Sequence, residues 1–372
     1  MKPFSCIPLL ALFATLAATQ RTPPGTLHRR TYFYAGGTLE PQAPSVVSRG
    51  QVYVEHLVPA HVTQPLPLLL VHGQGMTGTN FLNTPDGRRG WADHFLGRGW
   101  EIYIVDQPAR GRSAWDAAAD GPAVLVDARS IAAMFTGVQH FALWPQARLH
   151  TQWPGAGTPG DAVFNAFFRS TVQSLANHTQ SEAEMRAAAG ELFARTGPVV
   201  LLTHSQGGAL GWVLADARPE SVRAIVALEP SGPPFRDAVI ANTPDLAWGL
   251  TNVPLAYAPP AAAPADLAPT AVFAEPSLNY TCFMQGTSPP RKLVDIAEIP
   301  VLLVTSQASY HAVYDDCTVA YLRQAGVGVE HVRLEDVGIL GNAHMMFMEL
   351  NNIEIAEEVV EPWLAKTVRS TV

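Results

Sequence analysis

The sequence is poor in charged residues and has no run of basic ones. Only 15% of its 372 residues are Asp, Glu, Lys or Arg, and the formal net charge of -8 is spread along the chain. A protein that binds the phosphate backbone of a nucleic acid needs a basic patch or stripe, so we expect no nucleic-acid partner. The hydrophobic share of 48% is instead typical of a chain that buries a large core.

Long hydrophobic runs are also missing, except near the start. The apolar run from Cys6 to Ala18 follows the basic residue Lys2 and ends in small residues. It is too short to span a membrane and is typical of a secretory signal peptide. We therefore expect residues 1–19 to be a signal peptide and residues 20–372 to form a secreted protein with no membrane span.

Cysteine is scarce, with three in the chain, of which Cys6 lies in the predicted signal peptide. An oxidising compartment favours a disulfide between the other two, Cys282 and Cys317, with two buried free thiols as the alternative. No Cys/His cluster suggests a metal, and we expect neither a metal nor another cofactor. Asn177 and Asn279 begin Asn-X-Thr tripeptides and are predicted glycosylation sites.

Apolar runs alternate with segments of helical spacing over most of the chain. The predicted buried strands are 67–72, 101–106, 199–202, 221–230, 301–305 and 330–334. Ser181 and Glu184 resemble an N-terminal cap for a helix that ends near Thr196. This alternation predicts one α/β domain, with a mostly parallel sheet covered by helices on both faces. Proline-rich irregular stretches predict cap or lid excursions at about 120–180 and 232–298.

A serine stands between a predicted strand and a predicted helix. Ser205 follows the apolar run 199–202 and precedes a Gly pair, Gly207 and Gly208. A tight strand-to-helix turn of this kind, a nucleophile elbow, holds a serine hydroxyl out into a cleft and needs small flanking residues. Thr203 occupies the position where the pattern usually has glycine. An ordinary turn with no catalytic role is the alternative interpretation.

An activated serine needs a base and an acid that orients it. His344 lies in the loop after the last predicted strand and is the candidate base, with a surface histidine as the alternative. His311 also follows a strand, and we expect it to line the pocket or to be structural. Glu229 closes an apolar strand, where a carboxylate is costly to bury without a partner, so we predict that it is the acid. Asp316 as the acid, or a structural salt bridge for Glu229, remains open.

Backbone and aromatic groups complete the predicted site. We expect the oxyanion to be bound by the N–H groups of Gln74, in the His-Gly loop, and of Gln206, after the serine. Trp144, Trp153 and Trp248 lie in the two excursions and are candidate substrate contacts, together with His311. The alternative is that these aromatic residues form the ordinary core of the cap.

The order Ser205, Glu229, His344 resembles the α/β-hydrolase superfamily. The motifs at 72–75, 106–113, 229–232 and 341–346 add to this resemblance, which covers nearly all of the chain after the predicted signal peptide. Within the superfamily the chain is similar to secreted bacterial and fungal esterases like esterase 713, which place a glutamate acid after the sixth strand. The resemblance implies an α/β-hydrolase fold and cofactor-free hydrolysis, and it does not supply the substrate.

These observations predict a secreted serine hydrolase that acts on a small-molecule ester or lactone. The expected enzyme is a carboxylesterase or lactonase that forms an acyl-enzyme on Ser205 and prefers a hydrophobic ester. An acyltransferase, lyase or cyclase acting on a secondary metabolite is the alternative enzyme class, and an inactive binding protein is a third. The sequence leaves a homodimer open.

Overall fold

The computed structural model describes residues 25–371, with side chains through residue 368. The predicted signal peptide at 1–19 lies outside the described residues. Within the described part of the chain, none of the helices combines the length and apolar character that a membrane crossing requires.

The core of the fold is an eight-stranded sheet whose strands we number in chain order. They are β1 (His28–Gln42), β2 (Ser45–Pro59), β3 (Leu68–Val71), β4 (Ile102–Asp106), β5 (Val199–His204), β6 (Val222–Leu228), β7 (Val301–Thr305) and β8 (Val329–Arg333). The spatial order is β1-β2-β4-β3-β5-β6-β7-β8. β2 pairs antiparallel with both β1 and β4, and all other neighbours are parallel. The predicted mostly parallel sheet is confirmed.

Helices cover both faces of this sheet. The α-helices of the described residues are α1 (Trp91–Gly97), α2 (Ala128–Ile131), α3 (Val138–Phe141), α4 (Ala162–Phe168), α5 (His178–Thr196), α6 (Gln206–Ala217), α7 (Asp315–Gln324), α8 (Asn352–Ile355) and α9 (Glu361–Thr371). Two π-helical segments, Ala132–Thr136 and Ala356–Val360, continue α2 and α8. Short 3-10 turns lie at Gly78–Phe81, Pro145–Leu149, Pro219–Ser221, Pro264–Leu267, Pro276–Leu278, Tyr310–Val313 and Leu334–Val337.

The central strands are apolar on both sides because each face is buried. Leu68 and Leu70 of β3 pack into one core with α1 and α9, whereas Leu69 and Val71 pack into a second core with α5 and α6. The sequence of a strand that is covered on both faces is a continuous run of apolar residues. This is why the runs at 67–72 and 199–202 identified strands.

The start of α5 differs from the sequence prediction. The helix begins at His178, and Asn177 is its N-cap, with its side-chain oxygen accepting from the Gln180 N–H at 3.2 Å. Asparagine is among the preferred N-cap residues. Ser181 therefore lies inside the first turn, and the predicted cap at Ser181 is wrong. Asn177 and Asn279 are both exposed, and their glycosylation stays a prediction.

Two stretches leave the sheet on the side where the predicted site residues lie. One occupies residues 107–177 and contains a small ladder of Ala123–Val124 with Ser174–Leu175. The other occupies residues 229–300 and contains the hairpin Pro269–Glu275 with Tyr280–Gln285, and a second ladder of Tyr257–Ala258 with Lys292–Leu293. Cys282 in the hairpin forms a disulfide with Cys317 in α7, so the predicted pair is confirmed.

Candidate active site

Ser205 occupies the turn between β5 and α6 in a strained backbone conformation. Its φ is +55°, a region that L-residues other than glycine rarely adopt. The neighbouring strand stabilises this conformation, because the Ser205 N–H donates to the Leu228 carbonyl at 3.1 Å. A Cβ at Gly207 would lie 2.5 Å from the Val71 carbonyl oxygen, so only glycine fits there. The turn therefore has the backbone of a nucleophile elbow and exposes Ser205 to a cavity.

The threonine at position 203 is accommodated by a glycine on the facing helix. Thr203 is fully buried at the end of β5. A Cβ on Gly211 of α6 would lie 2.8 Å from the Thr203 methyl carbon. Gly211 thus leaves the space that the Thr203 side chain fills, and the elbow keeps its tight turn without a glycine at 203.

Glu229 follows β6 directly, and its carboxylate contacts His344. One carboxylate oxygen, Oε2, lies 2.5 Å from Nδ1 of His344 and accepts from the Ser309 hydroxyl at 2.7 Å. The other oxygen accepts from the Ser306 N–H at 2.7 Å. Three donors converge on one buried carboxylate, which is the pattern expected for an ionised acceptor. Nδ1 of His344 is thereby bonded to Glu229, and Nε2, the other ring nitrogen, lies 3.4 Å from the Tyr310 hydroxyl.

His344 is enclosed by other rings. The His311 ring stacks parallel to it, with centroids 4.9 Å apart and an interplanar angle of 6°. His204, next to Ser205 in sequence, donates from Nε2 to the His344 carbonyl at 2.9 Å. Burial, and after it the nearby charge of His311, hold the pKa of His344 well below its usual value. His344 is therefore a neutral imidazole near pH 7, ready to accept a proton.

His311 belongs to a second buried histidine–carboxylate pair. Its Nδ1 lies 2.9 Å from an Asp315 oxygen, and its Nε2 lies 3.0 Å from the Tyr314 hydroxyl. Burial opposes protonation of His311, but the Asp315 carboxylate outweighs it and raises the pKa of His311 above the usual value. His311 lines the cavity. With both nitrogens engaged, it is not placed to serve as the base.

Asp316, the other acid considered from the sequence, points away from this site. Its side chain is 65% exposed, pairs with Arg333 and lies 3.6 Å from Nδ1 of His331. The structure thus brings Glu229, and not Asp316, to His344.

Glu229, His311 and His344 are also close enough to be considered as metal ligands. Their candidate ligand atoms all lie within 4.8 Å of one another. However, Nδ1 of His344 is hydrogen-bonded to Glu229, and both ring nitrogens of His311 are bonded to Asp315 and Tyr314. A metal would have to break this network, so these residues fit a hydrogen-bonded relay better than a metal centre.

The predicted oxyanion groups lie next to Ser205. Gln206 is the first residue of α6, so its N–H has no acceptor within the helix. The Gly73 backbone lies against Ser205, which brings the adjacent Gln74 to the same place. Both glutamines line the cavity.

Arg110 ties these two segments together, although no motif in the sequence assigned it a role. One of its terminal nitrogens donates to the Gly73 carbonyl at 3.2 Å, and the other donates to the Gln206 side-chain oxygen at 3.1 Å. Burial lowers the pKa of Arg110 to about 10, so it stays charged near neutral pH. The sequence feature that could have identified Arg110 is its place as a charged residue in the loop after the buried strand β4. A guanidinium that is buried there requires several hydrogen-bond acceptors around it.

A cavity of about 410 Å³ opens in front of Ser205. One part of its lining is apolar: Leu125, Val126, Met134, Phe135, Ala209, Leu210, Ile240 and Leu246. Another part is charged: Asp127, Glu182, Arg236, Asp237 and Asp245. This volume falls within the range of small-molecule sites.

The three tryptophans that were candidate substrate contacts do not line this cavity. Trp144 and Trp153 are 1% and 4% exposed in one hydrophobic core, and Trp248 is 7% exposed in the other. Trp153 packs edge-on against Phe167, with ring centroids 5.4 Å apart. The prediction for these residues is corrected accordingly, because large aromatic rings supply the core that the irregular excursions need.

Comparisons with known proteins agree with this architecture. Residues 164–295 match the family model described as alpha/beta hydrolase fold. A protein named probable secreted lipase phiG, from a fungal species (strain ATCC 74256), is 45% identical over 336 residues, which cover 90% of this chain and 89% of that protein. The atomic-resolution structure of a novel bacterial esterase superposes with a TM-score of 0.62 at 21% identity, covering 94% of this chain and 99% of that one. The chain belongs to the α/β-hydrolase fold family.

Proposed function

We propose that this protein is a secreted serine hydrolase of carboxylic esters, with Ser205 as nucleophile, His344 as base and Glu229 as acid. The observation that carries the proposal is the 2.5 Å pairing of the buried Glu229 carboxylate with Nδ1 of His344, beside a serine on a strained elbow. The fungal relative that is 45% identical is named a probable secreted lipase, which supports both ester hydrolysis and export.

In the proposed reaction, neutral His344 takes the proton of Ser205 through Nε2 while the serine oxygen attacks the ester carbonyl carbon. Glu229 stabilises the imidazolium that forms. The N–H groups of Gln74 and Gln206 bind the negative oxygen of the tetrahedral intermediate. His344 then gives its proton to the departing alcohol. Water next attacks the acyl-enzyme while His344 takes the proton of the water, and His344 returns that proton to the Ser205 oxygen as the acid leaves.

The cavity supports a small ester with an apolar portion as the substrate. Leu125, Met134, Phe135 and Leu210 provide apolar wall beside Ser205, and a volume of about 410 Å³ limits the size of what can enter. A lactone satisfies the same chemistry, because it is a cyclic ester and needs no additional group.

Covalent labelling tests this proposal most directly. The protein is treated with a fluorophosphonate and weighed intact beside the variants Ser205→Ala and Ser231→Ala. Ser231 lies in the same cavity but outside the elbow, so it is a matched control. We expect one adduct in the parent protein and in Ser231→Ala, and none in Ser205→Ala.

A panel of nitrophenyl esters of rising acyl length then tests the substrate class. We expect kcat/KM to rise with the first added methylenes and to fall once the acyl group exceeds the cavity. Absence of any adduct on folded protein would overturn the serine mechanism, and labelling without turnover of any ester would overturn the substrate class.

A further inference from the structure

The hydroxyl of Tyr310 lies next to the proposed base and lines the cavity in front of Ser205. It is 3.4 Å from Nε2 of His344, and Tyr310 and Ser205 line the same cavity. Nε2 is the nitrogen that returns the proton to the leaving alcohol. A hydroxyl beside Nε2, in the cavity that Ser205 also lines, lies close to the oxygen that receives this proton as the alcohol departs.

The loop after β7 fixes the position of this hydroxyl. Tyr310 begins a 3-10 turn, directly after Ser309, which donates to Glu229 at 2.7 Å. The Ala308 N–H donates to the Asn342 carbonyl at 2.8 Å, which joins this loop to the loop of His344. Trp144 donates from its indole nitrogen to the Ala308 carbonyl at 3.0 Å, and its ring packs edge-on against Tyr310 at 5.9 Å. The same loop thus sets the positions of Glu229, His344 and the Tyr310 hydroxyl.

We propose that Tyr310 is a further catalytic residue, which stabilises the alcohol oxygen as it leaves. The proposal rests on the ester hydrolysis proposed above. When the bond between the carbonyl carbon and the alcohol oxygen breaks, its electron pair stays on that oxygen, and the proton on Nε2 of His344 moves to it. Tyr310 keeps its own proton and donates a hydrogen bond to the same oxygen, so the alcohol leaves neutral and no other reactant is needed.

Tyr310 is suited to donate such a bond. Its side chain lines the cavity but is only 9% exposed. Burial first, and then the carboxylates of Glu229, Asp237 and Asp315, raise the pKa of Tyr310 well above the usual value. The phenol therefore stays protonated across the pH range in which a histidine base works.

Leaving-group dependence tests this role. The variant Tyr310→Phe removes only the oxygen atom. Tyr314→Phe is the matched control, because Tyr314 is also buried but its hydroxyl faces His311 at 3.0 Å. The substrates are nitrophenyl, phenyl and ethyl esters of one acid, compared by kcat/KM, which reports the acylation step. Nitrophenolate leaves readily without help, whereas an ethoxide-like oxygen needs stabilisation.

We expect Tyr310→Phe to lose about 10- to 100-fold more kcat/KM on the ethyl ester than on the nitrophenyl ester, the effect of one hydrogen bond to a charged oxygen. Tyr314→Phe should show the same change, if any, on all three esters. An equal loss on every ester, no loss, or a gain in Tyr310→Phe would each overturn the role in leaving-group stabilisation.

Fluorophosphonate labelling separates this outcome from failure of the proposed function. A parent protein that takes no label would defeat the serine mechanism itself. Parent and Tyr310→Phe proteins that both take the label, with a flat leaving-group series, would defeat only the role of Tyr310. Labelling of Tyr310→Phe also shows that its elbow is folded.

Discussion

Replacing Glu229 by glutamine removes one negative charge at almost constant shape. The native carboxylate receives three donors: the Ser306 N–H at 2.7 Å, the Ser309 hydroxyl at 2.7 Å and Nδ1 of His344 at 2.5 Å. A glutamine amide offers one acceptor oxygen and one NH2 group, which only donates. In either orientation of the amide, one native acceptor position is therefore lost.

Both orientations of the glutamine impair the base. If its oxygen faces Ser306, its NH2 faces Nδ1, so the imidazole proton moves to Nε2 and the ring cannot accept the proton of Ser205. If its oxygen faces His344, the buried Ser306 N–H loses its acceptor at a cost of about 1–3 kcal/mol, and the imidazolium loses its counter-charge. We expect kcat/KM to fall by roughly 10³- to 10⁴-fold, as is typical when the acid of a triad is neutralised.

The assay is hydrolysis of a nitrophenyl ester at constant pH, with thermal unfolding of each variant as the test of folding. Ser309→Ala removes one of the three hydrogen bonds to Glu229 and leaves its charge, so we expect a loss of only about 3- to 10-fold. Asp316→Asn alters an exposed carboxylate that pairs with Arg333, and we expect no change in kcat/KM.

Two results would refute this reasoning. A folded Glu229→Gln protein within tenfold of the parent would show that Glu229 does not orient or stabilise the base. A large loss in Asp316→Asn would show that the acid had been assigned to the wrong residue.

Three further variants test other parts of the structure. His311→Gln removes a positive charge stacked on His344 and should raise the pKa of His344, so the acid limb of the kcat/KM profile should move to higher pH; a limb that does not move contradicts this. Burial raises the pKa of Glu182 from 4.5 to about 7, so the folded state loses stability as the pH rises through this window, by up to about 3 kcal/mol. Urea unfolding at pH 5 and pH 8 should show that fall in the parent and not in Glu182→Gln, and an equal fall in both proteins would contradict the assignment. Gly211→Ala places a methyl group 2.8 Å from the Thr203 side chain, so it should destabilise the fold by about 1–3 kcal/mol; adding Thr203→Ala should restore most of this in urea unfolding, and absence of rescue would contradict the packing argument.

The sheet and the three proposed catalytic residues could be predicted from the sequence for one shared reason. Strands that are buried on both faces leave continuous apolar runs, and polar residues directly after such runs lie at the same edge of a parallel sheet. Ser205 follows β5 and Glu229 follows β6, so their proximity follows from strand order. His344 required in addition only that a loop after the last strand return to that edge.

The remaining parts of the site depend on contacts that local sequence does not encode. Arg110 and Tyr310 contact residues that are distant in the chain, and neither stands in a pattern that predicts those contacts. The tryptophans were misassigned because an aromatic residue in an irregular stretch is equally suited to line a cavity or to fill a core. The start of α5 was misplaced because asparagine and serine are both good cap residues. In the structure the Asn177 side chain makes the capping hydrogen bond, and the local sequence does not distinguish it from Ser181.

The disulfide has a consequence for how a substrate reaches Ser205. Cys282 belongs to the hairpin of the second excursion, and Cys317 lies three residues after Tyr314, a residue of the cavity wall. The covalent bond ties the hairpin to the start of α7, so the hairpin cannot move away from the part of the cavity wall formed by Tyr314. We therefore expect a substrate to reach Ser205 without displacement of this part of the wall.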